Sequence, residues 1–223
     1  MEFNVTFVGQ AYGDRPEYIR CLLDNSIDVR VWGYGWDRFS QNYQSQAAHP
    51  FQPLARTVRK FLSNADVEDV LRRMLNLELL RSAKKAVSAT PTITLPDEIT
   101  GTVLSDLEMV QMYSRSKINL GFSSCDIGEA EERIVQIRLR DFEVPMSGGF
   151  YLVEYMEELE EFFEIGKEVV CYTDPEDLVK KVNYYLEHDS ERERIRRAGH
   201  QRCLRDHTWQ NRFEMAFKQM GML

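Results

Sequence analysis

The first 36 residues limit most severely what this chain can fold into. "FNVTFVG" alternates and is rich in β-branched and aromatic side chains, "RPEYIRCLLDNS" sets Tyr18, Ile19, Leu22 and Leu23 on one helical face, and "DVRVWGYGW" is a second short strand ending in glycines. Strand, helix, strand at this spacing predicts a parallel pair joined by a right-handed crossover. The loop "GQAYGDRPEY" between the first strand and the helix carries Gly9 and Gly13. Its Pro16 suits the first helical turn and its Asp14 the N-cap.

The same rhythm resumes after residue 100. "GTVL" reads as a short strand, and "SDLEMVQMYSRS" opens a helix with a Ser105 cap and a Glu108 capping box. "KINLGFSS" is the next strand, "RIVQIRLRDFEVPMSGG" is helical at both ends with a break at Pro145, and "FYLVEY" and "KEVVCY" are two more strands. From about 175 to 220 the chain is helical, with Leu178, Val179, Val182, Tyr185 and Leu186 forming the apolar stripe of the first helix and the last helix beginning near Trp209. Helices alternating with short buried strands predict an α/β fold, a Rossmann-like parallel sheet flanked by helices, in one domain over 1–223. Residues 38–98 interrupt it as a helical insert carrying Arg56, Arg59, Lys60, Arg72, Arg73, Arg81, Lys84 and Lys85. That basic island is either a pair of solvated amphipathic helices or a surface for an acceptor or partner.

Composition excludes several classes of function. At 223 residues the chain fits one large core, and 43% hydrophobic with 29% charged residues is ordinary for a globular protein. No apolar run approaches the roughly 18 residues of a membrane span, and "MEFNVTFVGQ" reads as a first strand, so a cytoplasmic location is expected. A net charge of −8 argues against nucleic acid as a partner. Cys21, Cys125, Cys171 and Cys203 show no CxxC spacing and do not combine with His49, His188, His200 and His207 into a ligand pattern, so no metal is expected and the thiols read as reduced.

In an open parallel sheet, ligands bind at the carboxyl ends of the strands, where loops enter helices. Three stretches are expected to meet there: the loop from Gly9 to Arg15, the strand end at Ser123 and Ser124, and the corner from Arg140 to Gly149. Together they describe an anion site. Gly9 and Gly13 allow close backbone approach, Arg15 and Arg140 offer fork-shaped donors to phosphate oxygens, and the amides around Ser147, Gly148 and Gly149 lie at a helix entrance. Glu143 then accepts from a pair of sugar hydroxyls. Taken alone, Arg140 and Glu143 at i, i+3 equally describe a helix-surface ion pair, and the acidic runs at 129–132 and 157–164 describe solvated faces.

At this corner "RDFEVPMSGGFYL" resembles the spore-maturation (CgeB-like) branch of the group 1 glycosyltransferases, enzymes of the two-domain GT-B fold. The likeness continues through "ELEEFFEIGKEVVCYTDPEDLVKKVNYYLEHDSERERIRRAGHQRCLRDHTWQNR", and upstream in "VTFVGQAYGDRPEYIRCLLDN", "VRVWGYGW" and "MYSRSKINLGFS". It covers roughly 1–37 and 100–215 and is most specific over 138–210. The resemblance implies the donor-binding half of such an enzyme. It implies a nucleoside diphosphate sugar as ligand, Glu143 on the ribose and Arg15 at the diphosphate, which the anion site read above would complete with Gly9, Gly13, Arg140 and residues 147–149. Ser123 and Ser124 would touch nucleotide or sugar, while His207 and Trp209 read as structure that ties the domain closed.

Two departures accompany the likeness. Many relatives carry a second glutamate eight residues before the ribose glutamate, where this chain has Val135. A GT-B enzyme also needs two Rossmann-like domains of about 150 to 200 residues with catalysis between them. The expectation is therefore metal-free glycosyl transfer with an acceptor domain missing or supplied by a partner chain or a second copy. The alternatives are a non-catalytic nucleotide or nucleotide-sugar binding module, and a regulatory partner that uses the basic insert.

Overall fold

The computed structural model describes residues 1–39, 93–125 and 134–222. These fall almost entirely within one compact unit, Met1–Gln41 with Thr94–Leu223. The basic island of the helical insert and the acidic run at Glu129, Glu131 and Glu132 lie outside the described residues. At the insert's two described ends, Leu95 N donates to Phe39 O at 2.6 Å, and the Leu95 side chain is fully buried.

Six parallel strands form the sheet in the order β3-β2-β1-β4-β7-β8. They are β1 (Phe3–Val8), β2 (Val29–Trp32), β3 (Thr100–Gly101), β4 (Ser116–Gly121), β7 (Tyr151–Glu154) and β8 (Val170–Tyr172). Between β4 and β7 a small antiparallel hairpin pairs β5 (Ser124–Cys125) with β6 (Ile134–Val135). The helices among the described residues are α1 (Arg15–Asp24), α2 (Asp106–Arg115), α3 (Arg140–Met146), α4 (Pro175–Glu187), α5 (Asp189–Asp206) and α6 (Trp209–Gln219).

The central strands are apolar on both faces because helices cover both. Adjacent residues on β1 divide between them: Phe7 meets Trp36 and Phe122 edge-on, and Phe122 meets Tyr18 of α1. Val8 instead joins Met112, Tyr113, Val144, Tyr151 and Cys203 in the core under α2, α3 and α5. That two-sided burial explains the near-continuous apolar strands. Chain order reverses between β1 and β4, which opens a crevice at their carboxyl ends, the place where such sheets hold ligands.

Several local expectations meet their physical cause. Pro16 lies in the first turn of α1, and Ser105 and Glu108 form a reciprocal capping box on α2. A cap not read from the sequence is Asp174 on α4, which accepts from Asp177 N at 2.8 Å. Other expectations are corrected. The "GTVL" strand is only Thr100–Gly101, paired to Val31 and Trp32. No helix spans 134–138, because Ile134 and Val135 pair with the β4 exit, and Pro145 lies inside α3 rather than breaking it. In so short a helix, its missing N–H removes only one bond.

Candidate functional site

Main-chain contacts build the floor of the crevice. Gly9 N donates to Trp32 O at 2.7 Å, Ala11 N to Tyr34 O at 2.9 Å, and Trp36 Nε1 to Gly9 O at 2.8 Å. The loops leaving β1 and β2 are thereby stitched together. A Cβ on Gly33, whose φ is +139°, would lie 2.3 Å from Gly9 O, and one on Gly9 would lie 2.9 Å from Arg140 Nη1. Only glycine allows both approaches. Gly13 takes a positive φ of 59° just before α1.

Three guanidinium groups gather at this edge: Arg15, Arg138 and Arg140. Arg15 is only 2% exposed, its face is 3.8 Å from the Tyr12 ring centroid, and it donates to Gln10 O at 2.9 Å and Tyr12 Oη at 2.7 Å. Burial lowers its pKa to about 10, opposed by Tyr12 and reinforced by Arg138 and Arg140. Arg15 therefore props the loop from beneath, with its two Nη groups turned to Gln10 and Tyr12 and its Nε buried without a partner. Arg140, half-buried, donates from Nε to Tyr113 Oη at 3.3 Å. Arg138 donates from Nη2 to Ser124 O, and its own amide donates to Asp141 Oδ2 at 2.7 Å.

Behind the arginines lie buried carboxylates. Asp141, 1% exposed, also accepts from Tyr151 Oη at 2.7 Å. Burial raises its pKa against the pull of those hydrogen bonds and of Arg138 and Arg140, and burial with the nearby Asp141 charge raises Tyr151 well above 10. Glu154, at the end of β7, accepts from Ser123 N at 3.0 Å and Ser124 N at 3.2 Å. Ser124 Oγ donates to Asp14 Oδ1 at 3.2 Å, which draws Asp14 away from capping α1. Ser123 and Ser124 are buried and shape the shelf with their main chain.

Residues 147–149 occupy a different place from the one expected. They follow the C-terminus of α3 and precede β7, so they stand at the amino-terminal edge of the sheet, away from the arginines. Their amides are spent closing that helix: Ser147 N on Glu143 O, Gly148 N on Pro145 O and Gly149 N on Val144 O, each at 2.9 Å. Gly148 takes φ +72°, as a helix C-cap requires, and a Cβ on Gly149 would strike Asn119 Nδ2 at 2.7 Å. The corner thus serves the site only through its first half, Arg138 to Glu143.

Glu143 stands half-buried on α3 and lines a cleft of about 390 Å³ together with Arg138, Leu139, Phe142, Trp209 and Arg212. No ion pair joins it to Arg140, and its carboxylate has no hydrogen-bond partner among the described residues. His207 is held by Phe162 O, 3.0 Å from Nε2, and is ringed by Phe142, Phe162 and Phe163. Its ring also lines the cleft beside Glu143. Trp209 stacks on Phe213 of its own helix and is 64% exposed at the cleft. Arg138, Asp141, Tyr151, Glu154 and Arg212 were not singled out by sequence. Arg212 alone carried a signal, as the last residue of "HTWQNR".

A family model described as glycosyl transferase-like matches residues 72–218. The chain belongs to the group 1 glycosyltransferase family. The fold of this glycosyltransferase chain is that of a GT-B half. Anabaena HepE, solved in complex with UDP-glucose, is similar with a TM-score of 0.56 at 8% identity over 99% of this chain and 49% of that one. Sucrose-phosphate synthase from Thermosynechococcus elongatus is similar with a TM-score of 0.56 at 10% identity over 98% of this chain and 46% of that one. The glycosyltransferase chain spans about half the length of these solved structures. No curated protein matches it. Among the described residues no helix is long and apolar enough to cross a membrane.

Proposed function

We propose that this chain is the nucleotide-sugar-binding half of a glycosyltransferase of the spore-maturation (CgeB-like) branch, transferring a sugar from a nucleoside diphosphate without a metal. The observation that carries this reading is Glu143. It is a half-buried carboxylate without a partner, on a cleft wall that also presents Arg138 and adjoins Arg140 at the sheet's switch point. A carboxylate in that setting accepts from vicinal ribose hydroxyls, while the guanidinium groups take phosphate oxygens in forked pairs. Anabaena HepE, whose fold this chain shares, was solved with UDP-glucose, which supports the same ligand class.

The chemistry requires no nucleophile from this half. As the glycosidic bond breaks, negative charge grows on the departing diphosphate, and Arg138 and Arg140 stabilise it electrostatically from preset positions. Arg15 contributes by holding the loop and by adding positive potential from behind it. The acceptor and any general base would come from a second wall of the cleft, supplied by another domain or chain.

Differential scanning fluorimetry with UDP, GDP, ADP and their sugars tests the reading. One nucleoside diphosphate at about 100 times its Kd should stabilise the native chain by about 2.7 kcal/mol. Glu143→Ala should keep its unliganded melting temperature and lose that shift. A native chain indifferent to every nucleotide would overturn the proposal.

A further inference from the structure

Arg140 opens α3, and three neighbours meet its guanidinium. Its Nε donates to Tyr113 Oη at 3.3 Å, its Cζ lies 5.5 Å from the centroid of the Phe7 ring, and its Nη1 approaches Gly9 so closely that a Cβ there would stand 2.9 Å away. Nη1 and Nη2 have no hydrogen-bond or ion-pair partner among the described residues.

Tyr113 can hold that guanidinium because it is itself held. Its side chain is 1% exposed and packs in one core with Val8, Val144 and Tyr151, and its carbonyl accepts from Asn119 Nδ2 of β4 at 3.0 Å. Burial raises its pKa from 10, so Oη is a neutral acceptor at neutral pH. A guanidinium offers oxygen ligands two kinds of fork, one across its two Nη groups and one across Nε and an Nη. A phenol bonded to Nε removes the second and leaves the first.

We propose that Tyr113 is a positioning residue: it selects the edge with which Arg140 meets the nucleotide, so that Nη1 and Nη2 take two oxygens of one phosphoryl group while Nε stays on the phenol. This rests on the nucleotide reading above and deepens it, from which cation binds to how that cation is aimed. Tyr113, being buried, touches no ligand and acts only through Arg140. A fork fixed in advance by a phenol, a ring face and a glycine loses less freedom on binding than an unheld arginine.

Calorimetry with UDP, GDP and ADP on the native chain, Tyr113→Phe, Arg140→Met and the double variant tests this, with the melting temperature of each unliganded protein reporting its fold. For a nucleotide that the native chain binds, Tyr113→Phe should weaken affinity about three- to tenfold, the scale of one hydrogen bond, and Arg140→Met about tenfold or more. The double variant should bind as Arg140→Met does, because a residue that works through the guanidinium has nothing to work on once it is gone. A Tyr113 that served the fold alone would cost affinity equally in both backgrounds. Such additive losses, or full affinity in Tyr113→Phe, would overturn the inference and leave the nucleotide reading in place. Nitrogen NMR of the native chain with isotope-labelled arginine reads the same edge without a Tyr113 variant. With Arg140 signals assigned by their loss in Arg140→Met, nucleotide should shift the Nη signals and leave the Nε–H slow to exchange at its unliganded position. A nucleotide that moves the Nε–H signal more than the Nη signals would overturn the inference as well. Absence of nucleotide binding in the native chain would remove the reading on which it rests, and the inference with it.

Discussion

Tyr151 Oη donates to Asp141 Oδ1 at 2.7 Å, reaching from β7 across β4 to the start of α3. The hydroxyl passes directly over Gly121, where a Cβ would lie 2.2 Å from it. One buried hydrogen bond thus fixes the helix that carries Arg140 and Glu143 to the sheet, and a glycine in the middle strand keeps its path clear.

Gly121→Ala should destabilise the chain by about 1 to 3 kcal/mol, because the new methyl group displaces a buried, hydrogen-bonded phenol. Tyr151→Phe should cost about 1 to 3 kcal/mol by leaving Asp141 short of a donor. The two are in contact, so the double variant should be more stable than the sum of the single losses predicts. Urea unfolding of all four proteins checks this, and strict additivity would mean that the hydroxyl and Gly121 do not compete for space.

Asp141 predicts a pH dependence. Its folded pKa is raised above 3.8, chiefly by burial, so the native state holds the proton more tightly than the unfolded chain. The associated stability is present in full below 3.8 and is lost as pH rises through the folded value. Asp141→Asn does not titrate and can keep both contacts, its oxygen accepting from Arg138 N and its amide donating to Tyr151. Its melting temperature, relative to the native chain, should rise between pH 3.8 and neutrality. A flat or falling difference would contradict the assignment.

His207 has the opposite sign. Its pKa is lowered from 6.5, first by burial among the phenylalanines, and its Nδ1 is buried without a partner. A histidine of this kind contributes stability that is present above 6.5 and disappears as pH falls through its folded pKa. His207→Gln, which can still donate to Phe162 O, should melt with a shallower decline below pH 6.5 than the native chain. Equal declines would place the acid sensitivity elsewhere.

Glu154 should be costly to truncate. Its carboxylate takes the amides of both Ser123 and Ser124 at the end of the shelf, and all three residues are buried. Glu154→Ala leaves two donors unsatisfied and should destabilise by about 2 to 4 kcal/mol, whereas Glu154→Gln retains an acceptor oxygen and should cost less. Equal losses for the two variants would show that charge, not the pair of hydrogen bonds, is what matters at this position.

The sheet was legible because its strands are short apolar runs separated by capped helices, and both caps and runs are local properties. The stretch 134–139 was misread because Ile134, Val135, Ile137 and Leu139 suit either period, and what decides between them is a partner at Ser124 and Cys125. The Gly148-Gly149 pair was misplaced for a similar reason: two glycines serve a phosphate or a helix end equally well. Which one applies depends on which edge of the sheet the turn reaches. Arg15 stands where the β1–α1 loop becomes α1, as the first residue of the helix, and that place in the sequence does not reveal which way so long a side chain turns. Asp141 and Tyr151 carry no pattern at all, since ten residues of sequence separate them and only the crossover brings them together.

Because the Gly9, Trp32, Tyr34 and Trp36 contacts run through main-chain atoms or end on them, the floor of the crevice is indifferent to most of the side chains it displays. Tyr34, 65% exposed, projects from a chassis whose shape it does not set. Such a floor can be refitted for a different ligand by exchanging its ornaments, one residue at a time, without retooling the frame beneath.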